Sequence, residues 1–82
     1  SPADVALFEA LRERRKALAK ASSVPAYVIC SDRSLRDLAR RRPRSETELG
    51  EVFGFGTRKV ERYGEALLAV VRDRGDINRD TG

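Results

Sequence analysis

The segment from Leu49 to Gly64, LGEVFGFGTRKVERYG, constrains the fold of this chain more than any other stretch. Leu49 and Val52 are spaced as the apolar anchors of a short helix, Gly54 and Gly56 bracket Phe55, and a second helical pattern begins near Thr57. Two glycines at such a junction let the backbone turn through positive φ and approach a ligand closely, so the segment reads as helix, Gly-Phe-Gly hairpin, helix. The N–H groups at the start of the second helix have no partner within the helix, and with the positive end of the helix dipole they form an anion site. Arg58 and Lys59 add formal positive charge where the dipole favours Asp or Glu, a misplacement that a bound phosphate would offset. The same residues also fit a purely structural αα-hairpin.

The rest of the chain is a series of helices with short punctuation. Ser1-Pro2-Ala3-Asp4 has the cap, first-turn proline and acid of a helix start. That helix runs to about Ala21, with Val5, Phe8, Leu11 and Leu18 as its apolar stripe, interrupted by Arg15. Arg12, Lys16 and Lys20 follow at i+4 on another face. Val24-Pro25 forces an extended step, and Ala26 to Cys30 reads as a buried turn of helix or 3₁₀. Ser31-Asp32 caps the next helix, which turns Leu35, Leu38 and Ala39 inward and Arg33, Arg36 and Arg40 outward, and Pro43 stops it at Arg42. Ser45 caps a short fourth helix, with Glu48 completing a capping box. The last helix carries Val60, Tyr63, Leu67, Val70 and Val71 on one stripe and is expected to fray by Arg74. Residues 75–82 have the composition of a flexible tail. Short loops between five helical pieces predict a compact all-α five-helix bundle with a helix-hairpin-helix-like element, residues 1–74 forming the domain.

Eighty-two residues are enough for one small domain with a modest core, and too few for a deep catalytic cleft with a separate substrate domain. A net charge of +4 suits a polyanionic partner, and its distribution is uneven. Residues 33–44 carry six Arg and one Asp, whereas residues 45–56 carry three Glu and no base. Fourteen of the seventeen basic residues are Arg, a choice that favours bidentate phosphate contacts and is equally the mark of a GC-rich genome. The single cysteine, Cys30, lies in the apolar run Tyr27-Val28-Ile29-Cys30, and the chain has no His. Disulfides within the chain, zinc sites and Cys-His nucleophiles are thereby excluded, and Cys30 reads as a small core residue. No run approaches the length of a membrane span and no signal peptide is visible. The absence of an initiating Met is what an excised module would show.

Several spaced motifs together resemble the HRDC family, the helicase-and-ribonuclease-D C-terminal domain. They are Leu7-Phe8-x-x-Leu11-Arg12, Val24-Pro25-Ala26-Tyr27-Val28-Ile29, Ser31-Asp32-x-x-Leu35-x-x-Leu38-Ala39 with Arg42-Pro43 after it, and Gly54-x-Gly56-x-x-Lys59-x-Glu61-x-Tyr63-Gly64. The likeness spans roughly residues 5 to 73. It implies an auxiliary, non-catalytic element of a RecQ-type DNA helicase, cytoplasmic and nucleoid-associated in a bacterium, or the equivalent domain of ribonuclease D. The implied partners are single-stranded or partly duplex DNA and the rest of the parent chain, in DNA repair and recombination. No cofactor, metal, membrane or small-molecule substrate is implied.

In bacterial RecQ relatives the Pro-x-Tyr position lies on the DNA-binding face, which the resemblance carries over to Tyr27. Its ring either stacks on an unpaired base or packs as a core aromatic. Lys16, Lys20, Arg33, Arg36 and Arg40 would flank Tyr27, and Gly54, Gly56, Arg58 and Lys59 would supply the hairpin contacts. Two departures from the family pattern bear on function. Phe53 and Phe55 are larger than the hairpin residues common in the family, so one ring is expected in the core and the other exposed, where it would stack on a base or dock on a protein. Glu46, Glu48 and Glu51 crowd the approach to the hairpin and repel phosphate within a Debye length. They open a second reading, a protein-docking module whose acidic pole at Glu46 and Glu51, with Phe53 and Phe55, contacts the helicase core or another protein.

Overall fold

The computed structural model describes the backbone of residues 1–81 and the side chains of residues 1–74. Five helices follow in order: α1 (Pro2–Ser22), α2 (Ala26–Ile29), α3 (Asp32–Arg41), α4 (Glu46–Leu49) and α5 (Thr57–Thr81). The described residues contain no strand. Helix α1 packs against α2, α3 and α5, and α4 packs on α5.

Local chemistry sets each boundary. The Ser1 hydroxyl accepts from the Asp4 amide at 3.2 Å, and Pro2 occupies the first turn, where its missing N–H costs nothing. At the other end of α1, Ser23 adopts the left-handed conformation, and the Ser23 and Val24 amides donate to the Lys20 and Ala19 carbonyls. These two bonds make a Schellman ending with serine at the position usually held by glycine. Pro25 is extended, at ψ 153°, and starts the one-turn helix α2. Ser31 caps α3 by accepting from the Ser34 amide, and Arg42 ends it with φ at 49°. Ser45 caps α4 through the Glu48 amide at 3.1 Å, but the Glu48 carboxylate accepts from Arg44 N–H at 2.9 Å, one residue before the cap. The capping box is thus displaced by one residue. Helix α5 continues to Thr81, beyond the end expected near Arg74. The side chains of the expected tail, and all of Gly82, lie outside the described residues.

The buried stripe of α1 is Leu7, Leu11, Arg15 and Ala19, one residue per turn. Phe8 and Leu18 flank it, whereas Val5 is 61% exposed, so the stripe is rotated from the one expected. The reason is Arg15, which belongs to the buried face and does not interrupt it. Its guanidinium donates to the Cys30 carbonyl at 3.0 Å and pairs with Asp32 at 2.9 Å, tying α1 to the end of α2 and the first residue of α3. Leu35, Leu38, Ile29, Leu49 and Leu67 complete a buried aliphatic centre, with Phe55 inserted from the hairpin. At Gly64 a Cβ would come within 3.3 Å of Leu49, so the glycine lets α5 approach α4.

The hairpin is latched to α3. Gly54 has φ of 81°, and a Cβ there would lie 2.5 Å from the Ser34 hydroxyl oxygen. That hydroxyl donates to the Phe53 carbonyl at 2.7 Å, and the Phe53 amide donates to Asp37 at 2.9 Å. Gly56 differs from the expectation that both glycines turn through positive φ. It lies outside that region, and a side chain there would meet nothing within 4 Å.

Removing the Arg15 side chain leaves the Cys30 carbonyl buried without a donor and opens the α1–α3 junction. Arg15→Ala is expected to destabilise the domain by about 2–4 kcal/mol in chemical denaturation, whereas Asp32→Asn, at an exposed partner, should change stability by less than about 1 kcal/mol. Asp37 gives a pH dependence. The Phe53 amide, then Arg40 and Arg41, hold its carboxyl at about 2, below the ordinary 3.8. The unfolded chain therefore binds the proton more readily, so this contribution is complete above about pH 4 and is lost as pH falls toward 2. Asp37→Asn should flatten the acid limb of the thermal midpoint against pH, and the Phe53 amide resonance of the parent domain should titrate with the same midpoint as Asp37.

Candidate nucleic-acid interface

Two aromatic side chains stand out from the surface, Tyr27 at 73% exposure and Phe53 at 45%. The α2 turn produces the first. Its single turn sends Ile29, with Cys30 behind it, into the core and leaves Tyr27 and Val28 outside. The alternative that Tyr27 is a core aromatic does not hold. Beside it, Ala26 lines a cleft of about 380 Å³ with Arg12, Glu13, Arg15 and Lys16. Lys20 is exposed one turn further along α1.

The α3 arginines have a different neighbour. Arg33, Arg36, Arg40 and Arg41 line a groove of about 510 Å³ with Asp37, Glu51 and Phe53. The Arg33 guanidinium lies over the Phe53 ring, 3.9 Å from its centroid. Asp37 pairs with Arg40 at 2.7 Å and with Arg41 at 3.0 Å. Among the described residues Arg33 and Arg36 have no carboxylate within 4 Å. The cations expected to flank Tyr27 as one cluster are thus divided, with Lys16 in the α2 cleft and the arginines in the groove below the hairpin. A third cleft, lined by Asp4, Val5, Phe8, Arg36, Ala39 and Arg40, is largely apolar. At its edge Arg42 pairs with Asp4 at 3.0 Å, which holds that carboxyl below its usual range.

At the start of α5 the charge is unfavourable for an anion. Gly56 and Thr57 line a cleft with Glu46 and Glu61 and with no basic residue. Arg58 points to solvent, and Lys59 is half-buried. Lys59 and Arg15 both act on Cys30, but burial dominates and pushes that thiol up. Of the two hairpin rings Phe55 enters the core at 4% exposure and Phe53 remains outside. Glu51 faces the arginine groove while Glu46 faces the α5 cleft, so the acidic pole of the sequence is split between two surfaces.

Two residues with organising roles were not legible as such in the sequence. Arg15 looked like a break in an apolar stripe, and Asp37 like one acid in a run of arginines. The available signal for Asp37 was its isolation, as the one carboxylate within reach of Arg40 and Arg41 at i+3 and i+4. Among the described residues no three His, Cys, Asp or Glu side chains converge as metal ligands, and no helix is long and apolar enough to cross a membrane.

The HRDC domain family model matches residues 4–71. The chain is 33% identical over 74 residues to the ATP-dependent DNA helicase RecQ of Haemophilus influenzae, covering 90% of this chain and 12% of that protein. It is 38% identical over 71 residues to the ATP-dependent DNA helicase UvrD2 of Mycobacterium tuberculosis, covering 87% of this chain and 10% of the relative. The chain thus spans about one tenth of the length of these curated relatives. Among solved structures it is similar to HRDC domain 3 of D. radiodurans RecQ, with a TM-score of 0.83 and 40% identity, covering 85% of this chain and 92% of that one. Sequence and fold agree from the first turn of α1 to the last buried turn of α5, and the chain belongs to the HRDC family.

Proposed function

We propose that this domain is a non-catalytic accessory module of an ATP-dependent DNA helicase, and that it binds single-stranded or partly duplex DNA weakly and tunes how the parent enzyme engages DNA. The observation that carries the reading is the exposure of Tyr27 on the turn between Pro25 and the buried Ile29, one residue along the chain from Ala26, which lines a cleft with Arg12, Glu13, Arg15 and Lys16. A large aromatic held outward beside cations suits an unpaired base and its phosphate. The relatives it matches are DNA helicases by name, which supports a helicase parent over a ribonuclease D. Weak intrinsic affinity becomes effective through tethering, since a linker to the helicase core supplies a high local concentration.

Titration of the isolated domain with a short single-stranded oligonucleotide at low salt tests this. The amides around Tyr27, Arg12, Lys16 and Lys20 should shift, and affinity should fall steeply with added salt because most contacts are to phosphate. Tyr27→Ala should weaken binding about tenfold, the worth of one stacked base, with the thermal midpoint unchanged. No shift at any of these positions would refute DNA binding at this surface.

A second reading is favoured by one observation, that Glu46 and Glu61 line the same cleft as Gly56 and Thr57 with no basic residue in it. This acidic cleft is unsuited to phosphate and complementary to a basic protein surface, such as one on the parent helicase. Charge reversal at Glu46 separates the two. In the full-length parent it should alter selectivity among DNA structures while the isolated domain binds DNA nearly as before. A uniform gain in DNA affinity by the isolated domain would instead assign Glu46 a simple repulsive role.

A further inference from the structure

We propose that the groove between α3 and the hairpin is a second nucleic-acid subsite, separate from the Tyr27 corner, in which an unpaired base stacks on the Arg33–Phe53 pair and its flanking phosphate is held by Arg36. The proposal rests on the DNA-binding reading above and deepens it, giving Arg33 and Arg36 a base-stacking and phosphate-binding role beside Phe53 in place of a general role in flanking Tyr27.

Four features of the groove carry the inference. Phe53 is exposed although it sits on a tightly fixed backbone, its amide and carbonyl bound by Asp37 and Ser34 at 2.9 and 2.7 Å. The ring is therefore presented, and it is not left outside by a mobile loop. The Arg33 guanidinium carbon lies over the ring, 3.9 Å from its centroid, so that cation and aromatic stand together in one groove. Unpaired bases stack on guanidinium planes as well as on aromatic rings. The arginines are also not equivalent. Asp37 holds Arg40 and Arg41, whereas Arg36 lines the same groove with no carboxylate partner among the described residues. Finally, the groove has four guanidiniums against the carboxylates of Asp37 and Glu51, and its volume of about 510 Å³ lies in the range of small-ligand sites.

An acidic peptide is the competing occupant. It would use the cations equally well, but the combined surface of ring and guanidinium offers it little, since an acidic side chain gains nothing by stacking. The Phe53 side chain makes no hydrogen bond and is partly exposed, so its removal spares the latch, which is made by backbone atoms.

The test uses a short single-stranded oligonucleotide with one 2-aminopurine, whose fluorescence is quenched on stacking, together with amide chemical shifts of this domain. Phe53→Leu and Arg33→Ala should each weaken binding about five- to tenfold and remove part of the quenching, in addition to the loss caused by Tyr27→Ala. Arg36→Ala should lower the slope of log affinity against log salt by about one. Glu51→Gln should strengthen binding by removing one of the groove's two carboxylates. Unchanged affinity and quenching in the Phe53 and Arg33 variants, with Tyr27→Ala still impaired, would overturn this subsite and leave the Tyr27 surface standing. If the oligonucleotide moves neither surface, both readings fall. If a poly-glutamate peptide shifts the groove amides while the oligonucleotide does not, the groove is a protein-docking site and the proposal is wrong.

Discussion

The guanidinium of Arg15 is the constraint on which the arrangement of the first three helices depends. Helix α2 has only one turn, too short to hold a position by its own hydrogen bonds. Arg15 fixes the end of that turn through the Cys30 carbonyl and the start of α3 through Asp32, so one side chain sets the path of the chain at both corners. It is nearly buried, at 8% exposure, with its Nε making no hydrogen bond. A buried cation is justified here by geometry. The carbonyl at Cys30 needs a donor, and the adjacent carboxylate is on the solvent side, where its own desolvation is small. With α2 fixed, Ile29 and Cys30 close the core and Tyr27 is directed outward.

A second polar device does for the hairpin what Arg15 does for α2. Asp37 accepts from the Phe53 amide and from Arg40 and Arg41, so it binds the hairpin to α3 and also decides which arginines remain available to a partner. Ser34 closes the other side. The two aromatic surfaces thus stand on fixed backbone, each positioned by a buried or half-buried charged group on a neighbouring helix.

Helix number, caps and most of the core were legible because they depend on local signals. Ser1, Ser31 and Ser45 cap where the sequence places them, and Leu35, Leu38 and Ala39 face inward as their spacing requires. The misreadings come from interactions between residues distant in sequence. Arg15 reads as an interruption because its partners lie 15 and 17 residues away, and a stripe drawn around it places Val5 in the core, where the structure leaves it exposed. The rings of Phe53 and Phe55 could be divided into one buried and one exposed, but which was which depended on the latch to Ser34 and Asp37. Charge followed the same rule. A run of arginines was visible, whereas its separation from Lys16 by the fold, and the splitting of Glu46 from Glu51, required the packing of α3 and α4 to be known. The continuation of α5 past Gly75 was hidden by a composition that favours tails.

The burial of Cys30 has a use of its own. As the one thiol of the chain, wholly inaccessible and with its ionisation suppressed, it reacts with a thiol reagent only when the junction of α1, α2 and α3 opens. Its labelling rate therefore counts opening events at the corner that presents Tyr27, without a probe being introduced. A ligand that binds the folded domain slows that rate as its occupancy rises.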